Sequence, residues 1–212
     1  MRPNCHFMLI ALFAFLLSVP TTKIFAASAE PVFIPQGAID CSTFEHNEAL
    51  GAWVTSKKKV PIRVKPSKSA KILGYLPPLV GEYTTRFDIL ETRPGWLKIT
   101  RADKRSAPYK DDKWEKWSLY NGDGWIPATT AGVGVQSARG YAKPDVNSFR
   151  IIDLGSDWLT DNANVTIRAC SGNWLLLDYT FHEKKQHGTA WFRGICQIQE
   201  TTCDMESVDD KP

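Results

Sequence analysis

Beyond its first twenty residues the chain has no long apolar run. Nowhere does it have a Cys-x-x-Cys pair, a glycine-rich phosphate loop or a serine–histidine–aspartate order. Each absence removes a class of function. The one apolar run, residues 7–17, is about half the roughly 20 residues that a bilayer-spanning helix needs, so no membrane anchor is expected once it is removed. His182 and His187 have only Glu183 between them as an acidic neighbour, and Cys170, Cys196 and Cys203 are widely spaced, a pattern that does not suit a zinc site, and no metal or cofactor is expected. Charge of one sign is lacking too. Without Arg2 and Lys23 the chain holds 24 basic against 23 acidic residues, a balance that does not suit nucleic acid.

What is present begins with a leader. Arg2, the apolar run and the small-residue site Ala27-Ser28-Ala29 make residues 1–29 a secretory signal peptide, and its removal from 212 residues leaves 183. Residues 30–50, with Glu30, Asp40, Glu45 and Glu48, show little periodicity and read as a lead-in segment.

From Trp53 onward the chain reads as one β-rich passage written twice. A shift of 78 positions lays Val64-Lys65-Pro66 on Ala142-Lys143-Pro144, Leu73 on Ile151, Leu76 on Leu154 and Phe87 on Val165. It also lays Ile89 on Ile167, Trp96-Leu97 on Trp174-Leu175 and Ile99 on Leu177, without a gap. Short apolar alternations broken by Gly, Pro, Asp and Asn predict small all-β units. In the first copy strands are expected near 62–64, 70–75, 86–91, 96–100 and 124–127. The predicted organisation is a first unit at 51–130, a second at 131–200 and a tail at 201–212. Each unit is near the size at which a core alone stabilises only marginally.

Four cysteines, Cys41, Cys170, Cys196 and Cys203, remain after Cys5 leaves with the leader, an even number in an oxidising compartment. Two disulfides are expected among three possible connectivities. The pairing expected here is Cys170–Cys196 within the second copy and Cys41–Cys203 between the tails, since the first copy has no cysteine.

The copies differ in charge and in one loop. Residues 51–128 carry 16 Lys/Arg against 8 Asp/Glu, while residues 129–212 carry 8 against 11, so the first copy suits an acidic surface. Between Ile99 and Trp125 lie 25 residues, against 13 between Leu177 and Trp191, which gives the first copy 12 extra residues around 102–122.

The order of landmarks resembles the bacterial Src-homology-3-like (SH3b) family. It runs through Ile62-Arg63-Val64-Lys65-Pro66 with Ser67-Lys68-Ser69-Ala70-Lys71-Ile72-Leu73-Gly74, then Gly95-Trp96-Leu97-Lys98-Ile99, then Gly124-Trp125-Ile126. The second copy departs from it at Tyr141-Ala142-Lys143-Pro144, at Asn173 and at Ala190. The resemblance implies two tandem small SH3-like β-barrels that bind cell-wall peptides or partner proteins without doing chemistry.

Candidate contacts lie in the extra loop, where Tyr109, Trp114, Trp117 and Tyr120 stand among Lys110, Lys113 and Lys116. Flat rings flanked by ammonium groups fit an acidic ligand. The competing reading is a longer hairpin whose tryptophans fold back onto the protein. Trp96 and Trp174 are expected in the core, because small barrels use large rings in place of a larger interior; Trp125 and Trp191 are retained as ligand contacts. Asp40-Cys41-Ser42 resembles the nucleophile motif of NlpC-type papain-like peptidases. Only about twenty residues separate it from the first unit, and His46 is too near to serve as the distant base, so Cys41 is expected to be a half-cystine. The expected protein is therefore an exported, non-catalytic binder of peptidoglycan or of an envelope protein, periplasmic or secreted. Its rivals are an inhibitor or immunity-type partner of a secreted enzyme and a cysteine peptidase using Cys41.

Overall fold

The computed structural model describes residues 30–44, 48–80, 84–105, 116–153, 163–182, 185–196 and 208–209. Among these the protein is all-β, with one 3-10 turn at Ala128–Thr130. The strands are β1 Ile39–Asp40, β2 Leu50–Val54, β3 Val60–Arg63, β4 Ile72–Leu76, β5 Thr84–Arg93, β6 Trp96–Arg105 and β7 Lys116–Pro127. They continue with β8 Ala131–Gly132, β9 Gly134–Val135, β10 Arg139–Tyr141, β11 Arg150–Asp153, β12 Ala163–Ser171, β13 Trp174–Phe181, β14 Gln186–Phe192 and β15 Ile195–Cys196.

The sequence repeat is also a repeat of topology. The first sheet runs β4-β3-β7-β6-β5 and continues through β2 to β8, with β1 on β5; the second runs β11-β10-β14-β13-β12. The register agrees position by position. Arg63 faces Trp125 as Tyr141 faces Trp191, and Ile89 faces Ile99 as Ile167 faces Leu177. Bulges recur at Ile62/Arg63 and Gly140/Tyr141, and at Ile89/Glu91 and Ile167/Ala169. A bulge adds local twist, which lets a long strand curl round its sheet. The loops match as well: Val64 N–H donates to the Lys71 carbonyl at 3.1 Å, and Ala142 N–H to that of Phe149 at 2.9 Å.

The β5–β6 and β12–β13 hairpins are closed by different chemistry. Pro94-Gly95 places its positive φ, 77°, on the second central residue, and Gly172-Asn173 places it, at 57°, on the first. Glycine tolerates both because it has no Cβ to clash.

Strands β5, β6 and β7 run longer than the sequence predicts, since pairing continues through Arg101↔Asn121, Ala102↔Tyr120, Asp103↔Ser118, Lys104↔Trp117 and Arg105↔Lys116. The polar residues there gave no alternation, yet the backbone ladder does not require one. Residues 116–120 follow the longer-hairpin reading of the extra loop.

The two copies share one hydrophobic cluster. Val60, Ile62, Ile89, Leu97, Ile99 and Ile126 of the first meet Ile167, Leu175, Leu177, Phe181 and Phe192 of the second. The chain connects them at β12, which packs against β5, β8 and the 3-10 turn. Each fully buried Leu, Ile or Phe contributes about 1.5–3 kcal/mol.

The expected disulfide pairing is corrected. Cys41 is bonded to Cys170, with Cα atoms 5.9 Å apart, and Cys196 is a half-cystine whose partner lies outside the described residues. The reason is β1: Ile39↔Thr92 and Asp40↔Glu91 pair it with β5, and Cys41 N–H donates to the Leu90 carbonyl at 2.8 Å, which brings Cys41 beside β12. The lead-in segment is thus part of the sheet. Such a bond is consistent with an oxidising, extracytoplasmic location. No helix among the described residues is long and apolar enough to cross a membrane.

Candidate binding site

Residues 30–38 of the same chain form a strap across Trp191, Ala169 and Leu176 of the second copy. Leu175-Leu176-Leu177 is buried on both sides. Leu175 and Leu177 join the shared core, whereas Leu176 joins Tyr141, Ala169 and Trp191 in a second cluster covered by Val32 and Ile39. Trp174 meets Tyr141 edge-on at 5.4 Å between ring centroids.

Directional contacts fix this strap. Phe33 N–H donates to the Ala142 carbonyl, and the Trp191 indole N–H donates to the Phe33 carbonyl, both at 2.8 Å. The Phe33 ring stacks on Trp191 with centroids 6.5 Å apart. Glu30 pairs with Lys143 and accepts from the Phe149 N–H at 3.4 Å. The Lys143 hydrogen bond holds the Glu30 carboxyl below its ordinary range. A void of only about 20 Å³ is left where the strap crosses Ala169 and Leu176.

The corresponding face of the first copy is built from Arg63, Glu91, Trp96, Lys98 and Trp125, with no strap across it among the described residues. Here β6 alternates, Leu97 and Ile99 inward and Lys98 outward, so only one of its faces is buried. A cleft of about 380 Å³ stands over Glu91 and Lys98, walled by Ala38, Asp40, Ser42 and Leu90. Arg93 lies over the Trp125 ring, its guanidinium carbon 5.2 Å from the centroid, where Phe33 lies over Trp191. It is steadied by Glu91 at 2.7 Å. Lys98 bonds Asp123 at 3.0 Å and holds that carboxyl below its usual range. Asp40 is likewise lowered, by its hydrogen bonds from Ser42.

The residues singled out in the sequence fall in three places. Tyr109, Lys113 and Trp114 lie outside the described residues. Lys116 and Trp117 lie in β7, while half-buried Tyr120 donates its hydroxyl to the Asp123 carbonyl at 2.9 Å, and burial pushes its ionisation up. Trp125 and Trp191 are 7% and 0% exposed: the first is covered by Arg93 and the second by Phe33. Trp96 and Trp174, expected in the core, are only half-buried. Cys41 is spent in the disulfide and 1% exposed, so the peptidase reading has no thiol there.

Sequence reasoning missed Phe33, Tyr141, Arg93 and Lys98. One signal was legible: three successive leucines mark a strand buried on both faces, against the alternation of Leu97-Lys98-Ile99. The chain matches no protein-family model and no curated protein.

Proposed function

We propose that the protein is an exported, non-catalytic binding protein of the cell envelope, built from tandem SH3-like units that recognise peptidoglycan peptides or an envelope protein. The observation that carries this reading is the doubled strand order, in which one copy already has a peptide segment of the chain laid across its Trp191. The first copy supplies the external contact. Its Lys57, Lys58, Lys59, Lys65, Lys68 and Lys71 are all exposed, a basic surface suited to carboxylate-bearing ligands.

The test is sedimentation with purified peptidoglycan beside a pull-down from an envelope extract, comparing the wild type with Trp114→Ala/Trp117→Ala. Retention on the wall or on one envelope protein, reduced in the double variant, is the expected result and places the contact near the extra loop. A wild type that sediments with nothing and captures nothing from the extract defeats the reading. A tight complex with a secreted enzyme alone transfers the protein to the inhibitor class.

A further inference from the structure

We propose that the open face of the first copy docks an extended, acidic segment of another protein, in the register that residues 30–33 show on the second copy. The inference rests on the binding reading above and names the ligand class and its seat.

The second copy is the template. Its strap is held by four groups: the Ala142 carbonyl, the Lys143 ammonium, the Phe149 N–H and the Trp191 indole N–H. The 78-residue shift and the matched strand pairing place Val64, Lys65, Lys71 and Trp125 at the same four positions. Among the described residues nothing donates to the Val64 carbonyl, and nothing accepts from the Trp125 indole N–H or the Lys71 N–H. The indole N–H is also not a sealed, unsatisfied donor. Val64 is 41% exposed, and Lys65 and Lys71 reach solvent. The same handles that hold the strap on one copy stand unused on the other.

Charge says what the segment carries. At the positions of Lys143, Val146 and Phe149, of which Lys143 and the Phe149 N–H hold the Glu30 carboxylate, the first copy has Lys65, Lys68 and Lys71. Three ammonium groups in place of one favour a carboxylate at that end. Three residues further on, an aromatic or large apolar side chain takes the place of Arg93 on Trp125, as Phe33 does on Trp191. Beyond it the second copy offers apolar Ala169 and Leu176, whereas the first offers Glu91 and Lys98 beneath the 380 Å³ cleft, so the matched grip ends with the aromatic residue. The occupant of the template is L-peptide gripped by its backbone, and this selects a protein segment rather than a wall stem peptide.

The probe is the synthetic peptide Glu-Pro-Val-Phe-Ile-Pro-Gln-Gly, the strap sequence, titrated into ¹⁵N-labelled protein carrying residues 30–212. Saturable shifts at the Trp125 indole N–H and the Lys71 amide are expected, with the Trp191 indole unmoved. Affinity should fall on the order of tenfold in Lys65→Glu/Lys71→Glu, two exposed positions whose variant must give the wild-type amide spectrum elsewhere. A peptide beginning with Gln should lose a similar factor.

No saturable shift, shifts confined to Trp191, or equal affinity in the charge-reversed variant would each overturn the proposal. So would a muropeptide that binds this face while the peptide does not. If the peptide fails but the wild type still captures envelope material, the docking inference falls alone. If envelope capture fails as well, the underlying reading falls with it.

Discussion

Cys41 and Cys170 show how one residue's setting reassigns its chemistry. Beside Asp40 and Ser42 the Cys41 thiol resembles a peptidase nucleophile while the cysteine count reads it as a half-cystine, and β1 delivers it to β12, where it is a cross-link between residues 129 apart. A bond closing so long a loop acts mainly on the unfolded chain, and its loss costs about 2–4 kcal/mol. Cys41→Ser/Cys170→Ser is therefore expected to lower the urea midpoint under oxidising conditions and to steepen the transition, because the unfolded chain without the cross-link exposes more surface. An unaltered midpoint would remove the cross-link from any account of stability. Gly124 and Gly140 make a second case. A Cβ at 124 would strike the Ile62 side chain, whereas one at 140 would sit 2.6 Å from Ile152 Cγ2 and 2.8 Å from Ala190 Cβ. Ile62 and Gly140 hold equivalent places, as do Gly124 and Ala190, so the copies fill one gap from opposite strands. Gly124→Ala is expected to destabilise by about 1–3 kcal/mol through overpacking, and the losses should be less than additive in Gly124→Ala/Ile62→Ala, which removes the Ile62 Cγ2 that the new methyl would strike. Additive losses in the double variant, measured by the same urea titration, would show that the two side chains do not compete for this space.

At the level of elements, the strap is the feature on which sequence and structure part. The repeat was legible, because shared spacing of apolar residues, turns and tryptophans survives as shared register, down to the bulges at 62/63 and 140/141. The site was only partly legible. Residues 30–38 carry no strand periodicity since they bind through Phe33 backbone groups and one ion pair, which leave no alternating pattern. The covered face did leave a trace in Leu175-Leu176-Leu177, but what covers it lies more than a hundred residues away in sequence. The disulfide pairing was illegible for the same reason, being decided by β1–β5 pairing. Glu30, whose folded-state value is depressed, anchors the strap fully above its ordinary value of 4.5 and loses that hold as pH falls through the lower, folded value. The amide proton of Phe149, which donates to Glu30, should accordingly titrate with an inflection below 4.5, and Glu30→Gln should abolish it. An inflection at or above 4.5 would mean that the ion pair with Lys143 does not form in solution.

Taken as a whole molecule, the doubled plan does not imply two independent folding units. Each copy is small enough that its own core stabilises it only marginally. Most of the buried apolar side chains of both copies belong to a single cluster in which Ile89, Ala128 and Ala131 stand with Ile167, Cys170 and Leu175. Three further ties cross the repeat. The strap lies on the second copy and then pairs with β5 of the first; the disulfide joins that strap to β12; and β8, at the head of the second passage, pairs with β2 through Trp53↔Gly132 and Val54↔Ala131. The other end of the chain is also tied in, because the buried Asp209 carboxylate accepts from the Ser137 hydroxyl at 2.8 Å and the Ala138 N–H at 2.6 Å. Separating the copies would expose the shared cluster and break the β1–β5 and β2–β8 pairing, so neither copy should melt first. Calorimetry is expected to show one transition whose calorimetric and van't Hoff enthalpies agree. Two resolved transitions, or a van't Hoff enthalpy near half the calorimetric one, would make the copies separate units and reduce the strap and the disulfide to a tether. With one transition, a ligand bound to the first copy stabilises the second along with it by mass action.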